Sequence, residues 1–85
     1  MTLFRVAVHI VPRRGILDPQ GKAVTGALQS LGFSQVQEVH VGRHLIIETE
    51  SSSPEAAGSA AREMCERLLA NPVTEDFEIA SVEAA

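Results

Sequence analysis

The chain has 85 residues, one cysteine and a formal net charge of −4, which makes it a single domain over 1–85 with no internal disulfide and a core that is marginal for a monomer. Its seven Lys and Arg are scattered among eleven acids, and its three aromatics are all Phe, a pattern that argues against nucleic-acid binding. No run approaches a membrane span, Met1–Arg5 enters an alternating pattern rather than a signal-peptide block, and a lone free thiol suits a reducing compartment, so a cytoplasmic protein is expected.

Phe4, Val6, Val8 and Ile10 alternate with Arg5, Ala7 and His9. A period of two predicts a strand with one strongly buried face, ended by Val11-Pro12-Arg13-Arg14-Gly15. Asp18 as N-cap and Pro19 as first residue open a helix from about Pro19 to Leu31. Its apolar stripe is Ala23, Val24, Ala27, Leu28 and Leu31, and Gly32 with Phe33 closes it. Gly21 in the first turn costs about 1 kcal/mol against Ala, so either backbone approaches closely there or another molecule contacts this corner. Gly26 in mid-helix predicts close packing on a neighbouring element.

A second β region spans about Val36 to Glu50, as one bent strand or as two strands of a hairpin. Arg43 falls on its apolar face, a conflict that a bend or bulge at Gly42 would resolve. Ser53, Pro54 and Glu55 open a second helix. Its stripe is Ala57, Ala60, Ala61, Met64, Cys65, Leu68 and Leu69, Glu63 and Arg67 form an i,i+4 pair, and Asn71-Pro72 closes it with Asn in a left-handed cap. A last strand runs from about Thr74 to Ser81, and the tail from Val82 is too short to assign.

Strand, helix, strand or strand pair, helix, strand is the order of a ferredoxin-like α+β sandwich. Both helices are expected on one face of an antiparallel sheet. The other face carries Leu3, Ala7 and Val11. A sheet with two apolar faces and open edges predicts a partner.

Candidate chemistry is sparse. His40 and His44 straddle Gly42 and would converge if the chain bends, but no Cys or carboxylate stands at metal-ligand spacing, so no metal site is expected. Cys65 lies late in a helix near its negative end, which predicts a buried, inert thiol. Arg13 and Arg14, just ahead of a helix N-terminus, are candidate anion contacts, although two arginines at a strand end are more commonly a solvated turn. Ser51-Ser52-Ser53 is a turn and cap with no accompanying base. Glu48/Glu50 and Glu75/Asp76 are edge-protecting charges. No catalytic set emerges.

Three segments, Gly15-Ile16-Leu17-Asp18-Pro19-Gln20-Gly21-Lys22-Ala23-Val24, Val39-His40-Val41-Gly42-Arg43, and Met64 to Val73 with Glu75-Asp76-Phe77, in this order and spacing, resemble the PurS family. These are the small subunits of the multi-subunit formylglycinamidine ribonucleotide (FGAM) synthase of bacteria and archaea. The chain departs from the family at Pro12, at the Arg13-Arg14 pair and in its alanine tail. The resemblance implies a subunit without an active site or cofactor of its own, in a complex that uses ATP, Mg and glutamine-derived ammonia at the fourth step of purine synthesis. It implies a homodimer, here expected to form through the sheet, with a tetramer left open, that brings a glutaminase subunit and a large synthetase subunit together. The matching positions Asp18, Pro19, Gln20, Gly21, Lys22, Gly42, Arg43, Asn71 and Pro72 are then interface candidates. Caps and bends account for Asp18, Pro19, Gly42, Asn71 and Pro72 without a partner, so Gln20, Lys22 and Arg43 are the better contacts. The alternative is a small ACT-type regulatory module that binds a ligand; an acylphosphatase-like enzyme is more distant, because that family's Gly-rich phosphate-loop spacing is absent.

Overall fold

Alternating apolar side chains build the central strand β1 (Thr2–Pro12), in which Phe4, Val6, Val8 and Ile10 are buried. The structure is a computed structural model that describes residues 1–15 and 18–85; Ile16 and Leu17, part of the first family-like segment, lie outside the described residues. After β1 come α1 (Pro19–Ser30), β2 (Arg43–Ser51), α2 (Pro54–Met64) and β3 (Glu75–Ala84). The sheet order is β2-β1-β3, with both neighbours antiparallel to β1.

The core is one layer deep. Ala57, Ala61 and Cys65 of α2 lie on Phe4, Val6, Val8 and Ile10, flanked by Leu45, Ile47, Phe77, Ile79 and Val82. Small residues on α2 let the helix approach the sheet closely. A bulge in the β1–β3 ladder, where Ala7 faces Ser81 but Val8 faces Ile79, shifts the alternation. It turns Val82 onto the core face, and β3 runs to Ala84, beyond the predicted end at Ser81.

α2 starts as predicted, with the Ser53 hydroxyl accepting from the Ala56 N–H and Pro54 at the first turn. It then widens into a five-residue π-helical turn, Cys65–Leu69, closed by the Ala70 N–H on the Cys65 carbonyl. The wider turn corrects the predicted stripe. It carries Leu68 out to 82% exposure and brings Ala70 into the core. Asn71 has no left-handed backbone. It stops the helix differently, its side-chain oxygen accepting from the Val73 N–H in an Asx turn.

The antiparallel sheet and two helices are those of the expected ferredoxin-like α+β order, with α2 packed on the sheet, but α1 makes little contact with it. β1 and β2 are adjacent and antiparallel, so the chain leaves and re-enters the sheet at the same end and has no need to cross it. α1 therefore projects as an arm. The radius of gyration is 16.2 Å, against about 12 Å for a compact chain of this length. Only Gly21 of α1 is buried, and Val24, Leu31 and Phe33 remain substantially exposed. The packing predicted at Gly26 is not seen among the described residues, none of which comes within 4 Å of where its Cβ would stand. The C-terminal stop forms as predicted: Gly32 adopts φ 101°, its N–H bonds the Gln29 carbonyl, and the Phe33 N–H bonds the Leu28 carbonyl.

The segment 36–42 is neither a second strand nor part of β2. It is an extended strap lying back along α1, bonded to that helix rather than to the sheet.

Candidate functional site

Two clusters collect most of the residues singled out by the sequence. The first joins α1 to the strap. Asp18 caps the helix through Oδ1, which accepts from the Gly21 N–H at 3.0 Å, and Oδ2 accepts from the Val41 N–H at 2.9 Å. Thr25 repeats the device one turn on: its hydroxyl donates to the Gly21 carbonyl at 2.8 Å and accepts from the Val39 N–H at 2.9 Å. Between them the strap presses on Gly21, whose absent Cβ would stand 2.1 Å from the Val39 carbonyl oxygen. The Gly in the first turn is thus explained by close approach of the chain's own backbone. Gln20 and Lys22 on either side are exposed. Asp18, Lys22, Thr25, Gln29, Glu38 and His40 line an open groove of about 540 Å³ along this junction.

The second cluster ties the two edge strands to the end of α2. Arg43 stands directly opposite Ile10, and Glu75 opposite Pro12 on the other side of β1. The Arg43 guanidinium donates to Glu75 Oε1 and to the Leu69 carbonyl, both at 2.8 Å. The same Oε1 accepts from the Asn71 N–H at 2.8 Å. The Arg43 conflict is therefore resolved by an ion pair at the rim of the core rather than by a bulge, since the β1–β2 register runs without a shift from Arg43 onward. Gly42 serves a close approach, since a Cβ there would stand 2.3 Å from the Ile10 carbonyl oxygen. Pro72 lines a neighbouring cleft with Arg13, Arg62 and Cys65.

The remaining predicted residues are dispersed. Arg13 turns its guanidinium to Asp76 at 3.2 Å, Arg14 lies exposed, and the helix N-terminus beside them is already held by Asp18. His40 and His44 do not converge: His40 faces Asp18 and Glu38, whereas His44 lies against His9. Cys65 is fully buried, and desolvation pushes its thiol up, away from the reactive range. Among the described residues no three His, Cys, Asp or Glu donors form a ready metal cluster. Thr25 and Glu75 were not singled out by the sequence as structural pivots. A Thr four residues after a first-turn Gly was the available signal for the first, and nothing local marks the second.

Both pivotal carboxylates are held below the ordinary carboxylate range. For Asp18 the main cause is the Gly21 N–H, then the Val41 N–H; for Glu75 it is the Asn71 N–H, with Arg43 adding to it against the opposing effect of burial. A carboxylate lowered on folding stabilises the fold in full above its unfolded pKa, about 4, and loses that contribution as pH falls through the folded value. Thermal melts should therefore fall in midpoint below about pH 4. Asp18→Asn should melt lower than the wild type at neutral pH and lose less on acidification. Equal acid slopes in the two proteins would remove Asp18 from the response.

Comparison with known proteins fits this geometry. Residues 5–83 match the family described as PurS, phosphoribosylformylglycinamidine (FGAM) synthase. The chain is 39% identical over 75 residues to the phosphoribosylformylglycinamidine synthase subunit PurS of Bacillus subtilis, covering 88% of each. It superposes on Thermus thermophilus PurS with a TM-score of 0.86 at 37% identity, covering 98% of both chains. It likewise superposes on a chain of PurLQS from Thermotoga maritima, with a TM-score of 0.82, 29% identity and full coverage of both. With a match across nearly its whole length in both sequence and fold, the chain belongs to the PurS family.

Proposed function

We propose that this chain is the small, non-catalytic adaptor subunit of a cytoplasmic FGAM synthase, joining a glutaminase subunit to a synthetase subunit so that ammonia from glutamine reaches formylglycinamide ribonucleotide. The observation that carries this reading is the end-to-end likeness to a chain of the PurLQS assembly. The polar chemistry of the chain supports it. Asp18 is engaged by backbone N–H groups, Glu75 by Arg43 and Asn71, and the thiol is buried, so each serves the fold. ATP and Mg belong to the complex rather than to this chain.

A homodimer is part of the proposal, and both the sheet and the arm offer surface for it. The open sheet face mixes charge, with Arg5 opposite Glu48 and Glu83 and with His9 opposite Glu78, with the exposed apolar residues Leu3, Val11 and Ile46. α1 likewise leaves Val24, Leu31 and the following Phe33 uncovered. The arm also presents Gln20 and Lys22. Arg43, held by Leu69 and Glu75, is less available to a partner.

Reconstitution tests the reading. Glutaminase and synthetase from the same source should make amidine from glutamine about 100-fold more slowly without this chain, the scale on which bringing two sites together acts. Amidine formation from free ammonia should persist. Equal glutamine-driven rates with and without the chain would overturn the adaptor role. Light scattering of the isolated chain should give twice its 9.1 kDa mass.

A further inference from the structure

We propose that His9 and His44 form a binding site for a borderline divalent cation, Zn2+ or Ni2+, on the open face of the sheet, with Glu78 as the carboxylate behind His9. The register places the three in one row across three adjacent strands. His9 of β1 lies directly opposite His44 of β2 and directly opposite Glu78 of β3. Alternation puts all three on the face that α2 leaves bare.

The geometry suits two ligands and an outer carboxylate rather than three ligands. The imidazole centroids are 4.7 Å apart and the rings are inclined at 58°. A metal that binds two imidazole nitrogens at about 2.0–2.1 Å at a tetrahedral angle needs those nitrogens roughly 3.3 Å apart, so both rings must turn a nitrogen toward the gap between them. His9 Nδ1 lies 3.8 Å from Glu78 Oε1. That side of the ring faces the carboxylate at longer than hydrogen-bond distance, which leaves Nε2 for the metal. A carboxylate on the far nitrogen orients the ring toward the metal. Waters complete the coordination, and there is room for them. The His9 side chain is 48% exposed, and a cleft of about 300 Å³ lined by His9, Val11, Asp76 and Glu78 opens beside the row. The nearest other acid on that edge, Asp76, is paired with Arg13. Imidazole donors select Zn2+, Ni2+ and Cu2+ over the hard cation Mg2+. His40 is a natural control, because it stands alone among imidazoles beside Asp18 and Glu38.

Tag-free full-length chain titrated with Zn2+ in a calorimeter tests this, with Mg2+ as the comparison. One Zn2+ should bind per chain with saturation, and Mg2+ should give none. His9→Ala and His44→Ala should each weaken Zn2+ binding about tenfold or more. Glu78→Gln should weaken it by about tenfold, the usual effect of removing an outer carboxylate. His40→Ala should leave it unchanged. The replaced side chains are exposed, and circular dichroism of each variant confirms that the fold persists. No saturable Zn2+ heat in the wild type, or unchanged binding in both His9→Ala and His44→Ala, would overturn the site.

Discussion

Gly21→Ala is expected to detach the strap from α1. The new methyl would stand 2.1 Å from the Val39 carbonyl oxygen and 2.4 Å from Asp18 Oδ2. The first contact is with backbone, so no side-chain rotation relieves it. Helix propensity favours Ala over Gly by about 1 kcal/mol, but overpacking costs about 1–3 kcal/mol even where side chains adjust. The steric effect therefore prevails. It acts locally, because α1 is joined to the strap far more than to the sheet. Amide exchange should show protection lost at Val39 and Val41, whose N–H groups bond Thr25 and Asp18, with β1 amides still protected. Assembly with the two larger subunits should weaken with it, since the arm carries the proposed contacts. A variant with unchanged protection at Val39 and Val41 would show that the strap is held by something other than this close approach.

Gly42→Ala is expected to act on the sheet instead. Its methyl would stand 2.3 Å from the Ile10 carbonyl oxygen and 3.0 Å from Val11 Cγ1. Arg43, the next residue, is the first of β2 to pair with β1. To relieve the clash, β2 must move away from β1 at the end where Arg43 reaches Glu75 and the Leu69 carbonyl. A displacement there opens the ladder and breaks the tie between the edge strands. An overpacking cost of about 1–3 kcal/mol, at about 4–8 °C per kcal/mol for a domain of this size, lowers the melting midpoint by roughly 5–20 °C. The two glycine variants should thus separate: Gly42→Ala lowers global stability, and Gly21→Ala mainly loosens the arm. Equal midpoints for Gly42→Ala and wild type would mean that β2 enters the sheet by another route.

Some features follow from the sequence alone, because their physics is local. The Asp18-Pro19 and Ser53-Pro54 starts, the Gly32 stop and the buried alternation of β1 each depend on neighbours within a few residues. The Glu63 and Arg67 pair, at 3.6 Å, is local in the same way. Family membership was also legible, since the motif segments span the chain and the match covers residues 5–83. Tertiary structure alone decided the rest. The facing of the last turn of α2 was missed because a π-helical turn shifts the helical period by one residue, and no residue type marks such a shift. The role of Val82 depended on a bulge opposite β1. Arg43 and Glu75 are 32 residues apart in the chain, so their pairing exists only once β2 and β3 flank β1. For the same reason His9, His44 and Glu78, which share no sequence motif, meet in one row only through strand register. Gly21 shows the division most clearly: its sequence showed that something must come close, and only the folded chain revealed that the intruder is its own Val39 carbonyl.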